Sequence, residues 1–187
     1  MSYHRKNLKE KLIEIAWNIC VAESWEKVNM RLVADKADVS ATAFYRHFKS
    51  KTDLKVELIQ RGFQIIQEGM KDVTNNFADY GAHYIRFGLN YPHIYDLMFG
   101  NTDIDMSLYP DLEALFDSSF MGIIEGLNSF MPDASDKDIM IKAVNIWASV
   151  HGIVGILRQS KLQSKRPETF EWIENNLEEY LKMATFK

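Results

Sequence analysis

The sequence predicts an all-α fold, and three observations carry that expectation. Apolar residues recur three and four positions apart along nearly the whole chain, strand-like alternation is absent, and only 4 Pro and 9 Gly punctuate 187 residues. At 47% hydrophobic content a chain of this length can bury a sizeable core, so the expected plan is one compact body with a small N-terminal lobe.

The elements follow in chain order. Leu8, Leu12, Ile15, Ala16 and Ile19 share one face of a first helix, and Trp25 and Val28 fall in the turn after it. Asn29 stands where a side-chain oxygen caps a short helix over residues 30–36, whose apolar face draws on Val28, Leu32, Val33 and Ala37. Only Ala37, Asp38 and Val39 separate it from Ser40, a good N-cap for a second helix, so the two must cross sharply. In the second helix Phe44 and Phe48 define an apolar face, while Thr42, Ala43, Tyr45, Arg46 and His47 point elsewhere. Those groups reach phosphates and base edges, and the small residues Ser40, Ala41, Thr42 and Ala43 let that end slide close to base pairs. This is the build of a DNA-reading module.

Ser50 caps the next helix, with Lys51 in its first turn, and Leu54, Leu58, Gly62, Ile65, Ile66, Met70 and Val73 carry it for about 25 residues. Helical patterns continue over Phe77 to Asn90 and, opened by a proline, over Pro92 to Phe99; the acidic, weakly patterned Asn101 to Leu108 is expected as a loop. Pro110 opens a helix through Phe130, and Met131-Pro132-Asp133 ends it. Ser135 and Asp138 then start a long helix from 136 to about 160, with Ala143, Ile146, Trp147, Val150, Val154 and Leu157 at helical spacing. Glu168 to Ala184 is expected as one last helix, with Phe170, Ile173, Leu177, Tyr180 and Leu181 on one side. The last two helices suit a two-fold four-helix interface between copies, each donating a pair; the plainer alternative is that the same faces complete the core of one copy.

The net charge of −4 and the pI near 5.7 are averages over two unlike ends. Residues 1–62 hold 12 Lys or Arg against 8 Asp or Glu, and the remainder holds 10 against 18. The basic end carries the crossed helices, and Arg5, Lys6, Lys9 and Lys11 add to it; phosphate affinity follows local surface charge. The single Cys20 makes no internal disulfide, and neither an N-terminal apolar run nor a stretch of 18 apolar residues appears. A cytoplasmic chain with no membrane partner is expected.

The run Val39-Ser40, then Phe44-Tyr45-Arg46-His47-Phe48, then Lys49-Ser50-Lys51 and Asp53-Leu54 resembles the helix-turn-helix signature of the TetR family of transcriptional regulators. The resemblance implies a homodimer, joined through the two C-terminal helices, that binds a palindromic double-stranded DNA operator. As a repressor it would release that operator when a small-molecule effector enters the C-terminal body. It implies a DNA-binding domain at residues 1–50 and an effector-binding and dimerisation domain at residues 51–187. Tyr45, His47 and Lys51 match backbone contacts, and Ser40, Thr42 and Ala43 lie where the family reads or approaches bases; Asn29, Arg31, Ala41 and Arg46 complete the expected DNA-binding set. Two positions depart from the family: Asp38 stands where the turn usually has Gly, and Thr42 where Gly is also common. Asp tolerates the left-handed conformation at a cost on the order of 1 kcal/mol.

A second, looser resemblance is to the C-terminal domain of some TetR proteins that is named for its Trp, His and Gly. It rests on Tyr84, Phe87, Gly88, Asn90, Pro92, Tyr95, Leu97, Met98 and Phe99 with Trp147, His151 and Gly152. In that domain the middle helices enclose an apolar cavity, so the expected effector-binding set is Tyr84, Phe87, Tyr95, Met98, Phe116, Phe120, Met121, Trp147 and His151. Its composition favours an apolar or aromatic effector of otherwise unknown identity. Aromatic and Met residues at helical spacing also make ordinary core, and His151 fits either a hydrogen-bonded core histidine or a ligand contact. No His pair or Cys-His spacing points to a metal, and no cofactor is expected. No Gly-rich phosphate loop, G-x-S-x-G elbow or Cys-His dyad suggests an enzyme, and Asp103 and Asp105 lack a nearby base. The competing reading is a helical partner-binding protein that uses the aromatic body and binds no DNA.

Overall fold

The computed structural model describes residues 2–70, 77–100 and 103–184, and its regular elements there are all helical. They are α1 (Ser2–Ala22), α2 (Met30–Lys36), α3 (Ala41–Tyr45), α4 (Lys51–Met70), α5 (Phe77–Asn90), α6 (Pro92–Phe99), α7 (Pro110–Phe130), α8 (Asp136–Leu157), α9 (Ser160–Gln163), α10 (Pro167–Asn175) and α11 (Leu177–Ala184). Single 3-10 turns lie at Trp25–Lys27 and Met106–Leu108. The chain divides into two compact units, one made of residues 1–64 and 91–113, the other of 65–90 and 114–187. Each unit is thus assembled from separated segments, and α4 and α7 each continue from one into the other.

In the first unit α1 packs on α2 and α6. Leu12, Ala16, Cys20, Val28, Val33, Phe44, Phe48, Leu54, Leu58, Phe63, Ile94 and Met98 are buried there, in an apolar interior that pushes the Cys20 thiol up to about 12. Lys11 Nζ donates to the Ala37 carbonyl at 2.8 Å, tying α1 to the end of α2. Lys9 pairs with Glu57 at 2.5 Å and Arg61 with Glu14 at 2.6 Å, joining α1 to α4. Lys9 and Lys11 thus each have a partner within the unit, while Lys11 stays exposed and Lys9 partly so. Gly62 lets α6 close on α4, because a Cβ there would run into Met98 Sδ.

In the second unit α5 packs against α8 and α11. Ile123, Leu127, Ile139, Ala143 and Ile146 join α7 to α8, flanked by Phe77, Phe120, Ile124 and Met131. Arg86 donates from both Nη atoms to Glu178, at 2.6 and 2.9 Å, and clasps α5 to α11.

Three elements differ from the sequence pattern. The expected last helix is two, because Asn176 leaves the helical region (φ −132°, ψ 43°) and its Nδ2 donates to the Trp172 carbonyl at 2.8 Å; an Asn amide competes with the backbone for such carbonyls. The long helix stops at Leu157 and a short α9 follows. The expected loop contains the turn Met106–Leu108, begun by Asp105, whose Oδ1 accepts from Ser107 N at 3.1 Å. Val73, Asn101 and Thr102 lie outside the described residues. By length and composition α8 alone among the described helices could cross a bilayer. Its two sides differ, with Ile139, Ala143, Ile146, Val150, Ile153, Val154 and Leu157 buried and Ile141, Val144, Ala148, Gly152 and Gly155 exposed.

Candidate functional site

The crossed helices are held by caps at each end. Asn29 Oδ1 accepts from Arg31 N at 2.8 Å and Leu32 N at 3.4 Å, which starts α2. Asp38 ends it in the left-handed region at φ 58°, with Asp38 N donating to Asp35 O and Val39 N to Ala34 O, both at 3.1 Å. That pair of bonds is a Schellman motif, which reverses the chain within the three residues available. Ser40 Oγ then accepts from Ala43 N at 3.2 Å and starts α3. The helix is only five residues long, but Phe48 N still reaches Phe44 O at 3.1 Å, and the two buried rings lie 5.3 Å apart.

Burying Phe44 and Phe48 turns the other side outward. Ala41, Thr42, Arg46 and Tyr45, the last half-exposed at 50%, make one outward strip; Ser40, Asn29 and Arg31 are exposed as well, while Ala43 and His47 are half-buried. Lys36 and Lys49 add exposed cations beside it. Lys51 is placed otherwise: Nζ sits 4.6 Å over the Trp25 ring and donates to the Trp25 carbonyl at 3.3 Å. Burial holds its pKa below the ordinary lysine value, with Glu26 opposing. Arg5 and Lys6 have side chains outside the described set.

Where α3 hands over to α4, Ser50 and Asp53 form a capping box: Asp53 N donates to Ser50 Oγ at 3.1 Å, and Asp53 Oδ2 accepts from Ser50 N at 3.1 Å and Lys49 N at 2.8 Å. Tyr109 Oη donates to the other oxygen at 2.9 Å. Burial alone would raise the Asp53 carboxyl, but these hydrogen bonds outweigh it and hold the pKa below the ordinary value. Tyr109 was not legible as a partner, because nothing in the spacing links it to a residue 56 positions earlier.

The nine residues of the expected effector set fall in both units. Tyr95 and Met98 are buried in the first, Tyr95 with its ring 5.0 Å from Phe99. In the second, Phe120, Trp147, His151 and Tyr84 form a chain of rings with successive centroids 5.4, 5.3 and 5.4 Å apart, spanning α7, α8 and α5. Phe87 is buried, Phe116 half-buried, and Met121 and Trp147 are exposed. Tyr84 Oη lies 3.0 Å from His151 Nε2, and burial pushes the imidazole down to about 4, so it is neutral near pH 7. Two further α5 residues lie nearby in the chain: Tyr80, whose hydroxyl lies 3.7 Å from the Cβ position of Gly122, and His83, whose ring lies against Gly69 of α4 and whose buried Nε2 has no hydrogen-bond partner among the described residues. Their one-turn spacing from Tyr84 and Phe87 was the available sequence signal. An open groove of about 580 Å³ between α1 and α4 is lined by polar residues such as Lys9, Glu14, Gln60 and Arg61 and includes none of the nine.

Comparison with known proteins finds two family matches. Residues 12–58 match the bacterial regulatory proteins of the tetR family, and residues 77–177 match the tetracyclin repressor-like C-terminal domain, a span that takes in Trp147, His151 and Gly152. An HTH-type transcriptional regulator of Staphylococcus aureus strain USA300 is 32% identical over 83 residues, 43% of each chain, and strain N315 has a regulator that matches to the same extent. The match thus spans less than half the length of these relatives. Among solved structures, a protein of unknown function from Rhodococcus sp. RHA1 superposes with TM-score 0.71 at 18% identity, covering 92% of this chain and 94% of its own. A transcriptional regulator from Aquifex aeolicus VF5 does so with TM-score 0.59 at 17% identity, covering 94% and 98%. At such identities the likeness is one of fold.

Proposed function

The chain belongs to the TetR family of bacterial regulatory proteins, and on that premise we propose that it is a cytoplasmic, dimeric, ligand-responsive DNA-binding transcriptional regulator. It acts as a repressor, and a small apolar or aromatic effector releases it from a palindromic operator. The observation that carries this reading is the outward strip Ala41, Thr42, Tyr45 and Arg46 on a helix anchored by fully buried Phe44 and Phe48. A helix so anchored can be presented rigidly to the major groove, with exposed Arg31, Arg46 and Lys49 on phosphates. We assign residues 1–50 to DNA binding and 51–187 to effector binding and dimerisation.

The effector region is the ring chain Tyr84, Phe120, Trp147 and His151. A ligand that prefers one arrangement of these helices biases α4 and α7, which are continuous with the DNA-binding unit, and so shifts the population of operator-competent dimers. The two α3 copies must stand about one DNA turn apart, ~34 Å, or the second half-site is lost. Coupling of 1 to 3 kcal/mol would weaken binding roughly 5- to 150-fold. Fluorescence anisotropy on duplexes from upstream of its own gene, at two salt concentrations and against a scrambled control, tests the reading. Selective, salt-sensitive binding by two subunits supports it; unselective weak binding favours a partner-binding protein.

A further inference from the structure

In the major groove Arg or Lys reads guanine, Asn or Gln reads adenine, and an apolar methyl reads the C5-methyl of thymine. The leading end of α3 carries none of the long polar readers. Ala41 and Thr42 are exposed on the outward strip while Ala43 is half-buried, so the helix offers two neighbouring methyl groups together with the Thr42 hydroxyl. Ser40, the other hydroxyl, already accepts the Ala43 amide as the helix cap. Arg46 stands one residue past the end of α3, and Tyr45 shares its turn, so both sit toward the trailing end of the strip. With nothing longer than Thr over residues 40–43, the helix can approach until methyl touches methyl, within about 4 Å.

Resting on the reading that α3 enters the major groove, we infer that each operator half-site is recognised mainly through thymine methyl groups, contacted by Ala41 and Thr42. The half-site consequently holds A·T pairs at the steps beneath the start of α3, and guanine contacts contribute little there. Tyr45 and Arg46 set the register on the backbone and leave the choice of sequence to the methyls.

The test uses the full-length protein. Its preferred duplex is first selected from a randomised pool, and thymines in the half-site are then replaced one at a time by deoxyuridine, which removes only the methyl. Losing one contacted methyl from water-excluded contact is expected to weaken binding about fourfold. Thr42→Ser should abolish that penalty at one step, and Thr42→Val should keep it; this non-additivity separates contact from any change in DNA shape. Selective binding that ignores deoxyuridine, or a selected half-site with guanine at these steps, would overturn the methyl readout while leaving operator binding intact. Failure to select any sequence would overturn the DNA-binding reading and the methyl readout together.

Discussion

Tyr109 donates a 2.9 Å hydrogen bond to Asp53, the residue that closes the capping box at the start of α4. Asp53 closes the motif just after Lys49 and Ser50, whose amide hydrogen bonds it accepts, so this bond fixes the exit of the recognition segment. Tyr109→Phe should lower stability by about 1–2 kcal/mol, since a hydrogen bond to a charged group is lost. The sign with pH follows from the depressed Asp53 pKa: the stabilisation is present above the ordinary value of 3.8 and is lost as pH falls through the lower folded value. Urea melts at pH 7 and at a series of pH values below 3.8 should show the gap between the wild type and Tyr109→Phe narrowing in acid. A gap of constant size would mean the bond acts independently of the carboxylate charge.

His151 works in the same sense but in a higher pH window. Burial lowers its pKa from 6.5 to about 4, so the unfolded chain binds the proton more readily and the fold loses stability as pH drops from 6.5 towards 4. Allowing for the water that still reaches this half-buried ring, the loss is about 1–2 kcal/mol. His151→Gln, which can still meet the Tyr84 hydroxyl, should flatten stability across that window while wild type declines. Identical pH profiles for the two would show that the ring is solvated in solution.

How far the sequence was legible depended on the range of the interactions. Caps and periodicity are local, so Asn29, Ser40, Ser50, Ser135 and the buried faces around Phe44 and Ile146 could be read from spacing. The break at Asn176 turns on a side chain choosing a carbonyl over its helix, which propensity does not decide. The inward turn of Lys51 onto Trp25 and the grouping of Tyr95 and Met98 with the first unit depend on contacts across 26 or more positions, which no periodic pattern encodes. For the same reason the ring chain emerged only with the fold, although each of its members had been singled out.

Asp38 holds φ 58° in the motif turn, where any side chain costs something. Asp38→Gly should raise stability by about 0.5–1 kcal/mol, because the left-handed strain it relieves exceeds the extra chain entropy of glycine. Thermal melts would report it. Unchanged or lower stability would indicate that the Asp38 carboxylate makes a compensating contact in solution.

Arg46 is exposed at the trailing end of the α3 strip and is expected to neutralise one phosphate per subunit. Two subunits on one operator make two such contacts, so Arg46→Ala should reduce the slope of log affinity against log salt by about 1.8. It should weaken operator and scrambled DNA alike. A selective loss on operator alone would move Arg46 from the backbone to a base.

The open side of α8 is the proposed meeting surface of two copies. Ile141, Val144, Ala148, Gly152 and Gly155 recur every three or four residues and are exposed, and a Cβ at Gly152 or Gly155 would meet nothing within 4 Å. Glycine at two such points lets facing helices approach to about 8 Å, closer than a bulky seam allows. Gly152→Arg fits the single chain, where there is open space and the helix gains about 1 kcal/mol in propensity, so folding should survive. Between two copies the same side chain blocks contact. Sedimentation equilibrium should therefore show a folded monomer whose operator affinity has fallen steeply, because a lone subunit holds only one half-site. If Gly152→Arg and Ala148→Glu both remain dimeric, the copies meet elsewhere, and the exposed apolar face of α8 has another occupant.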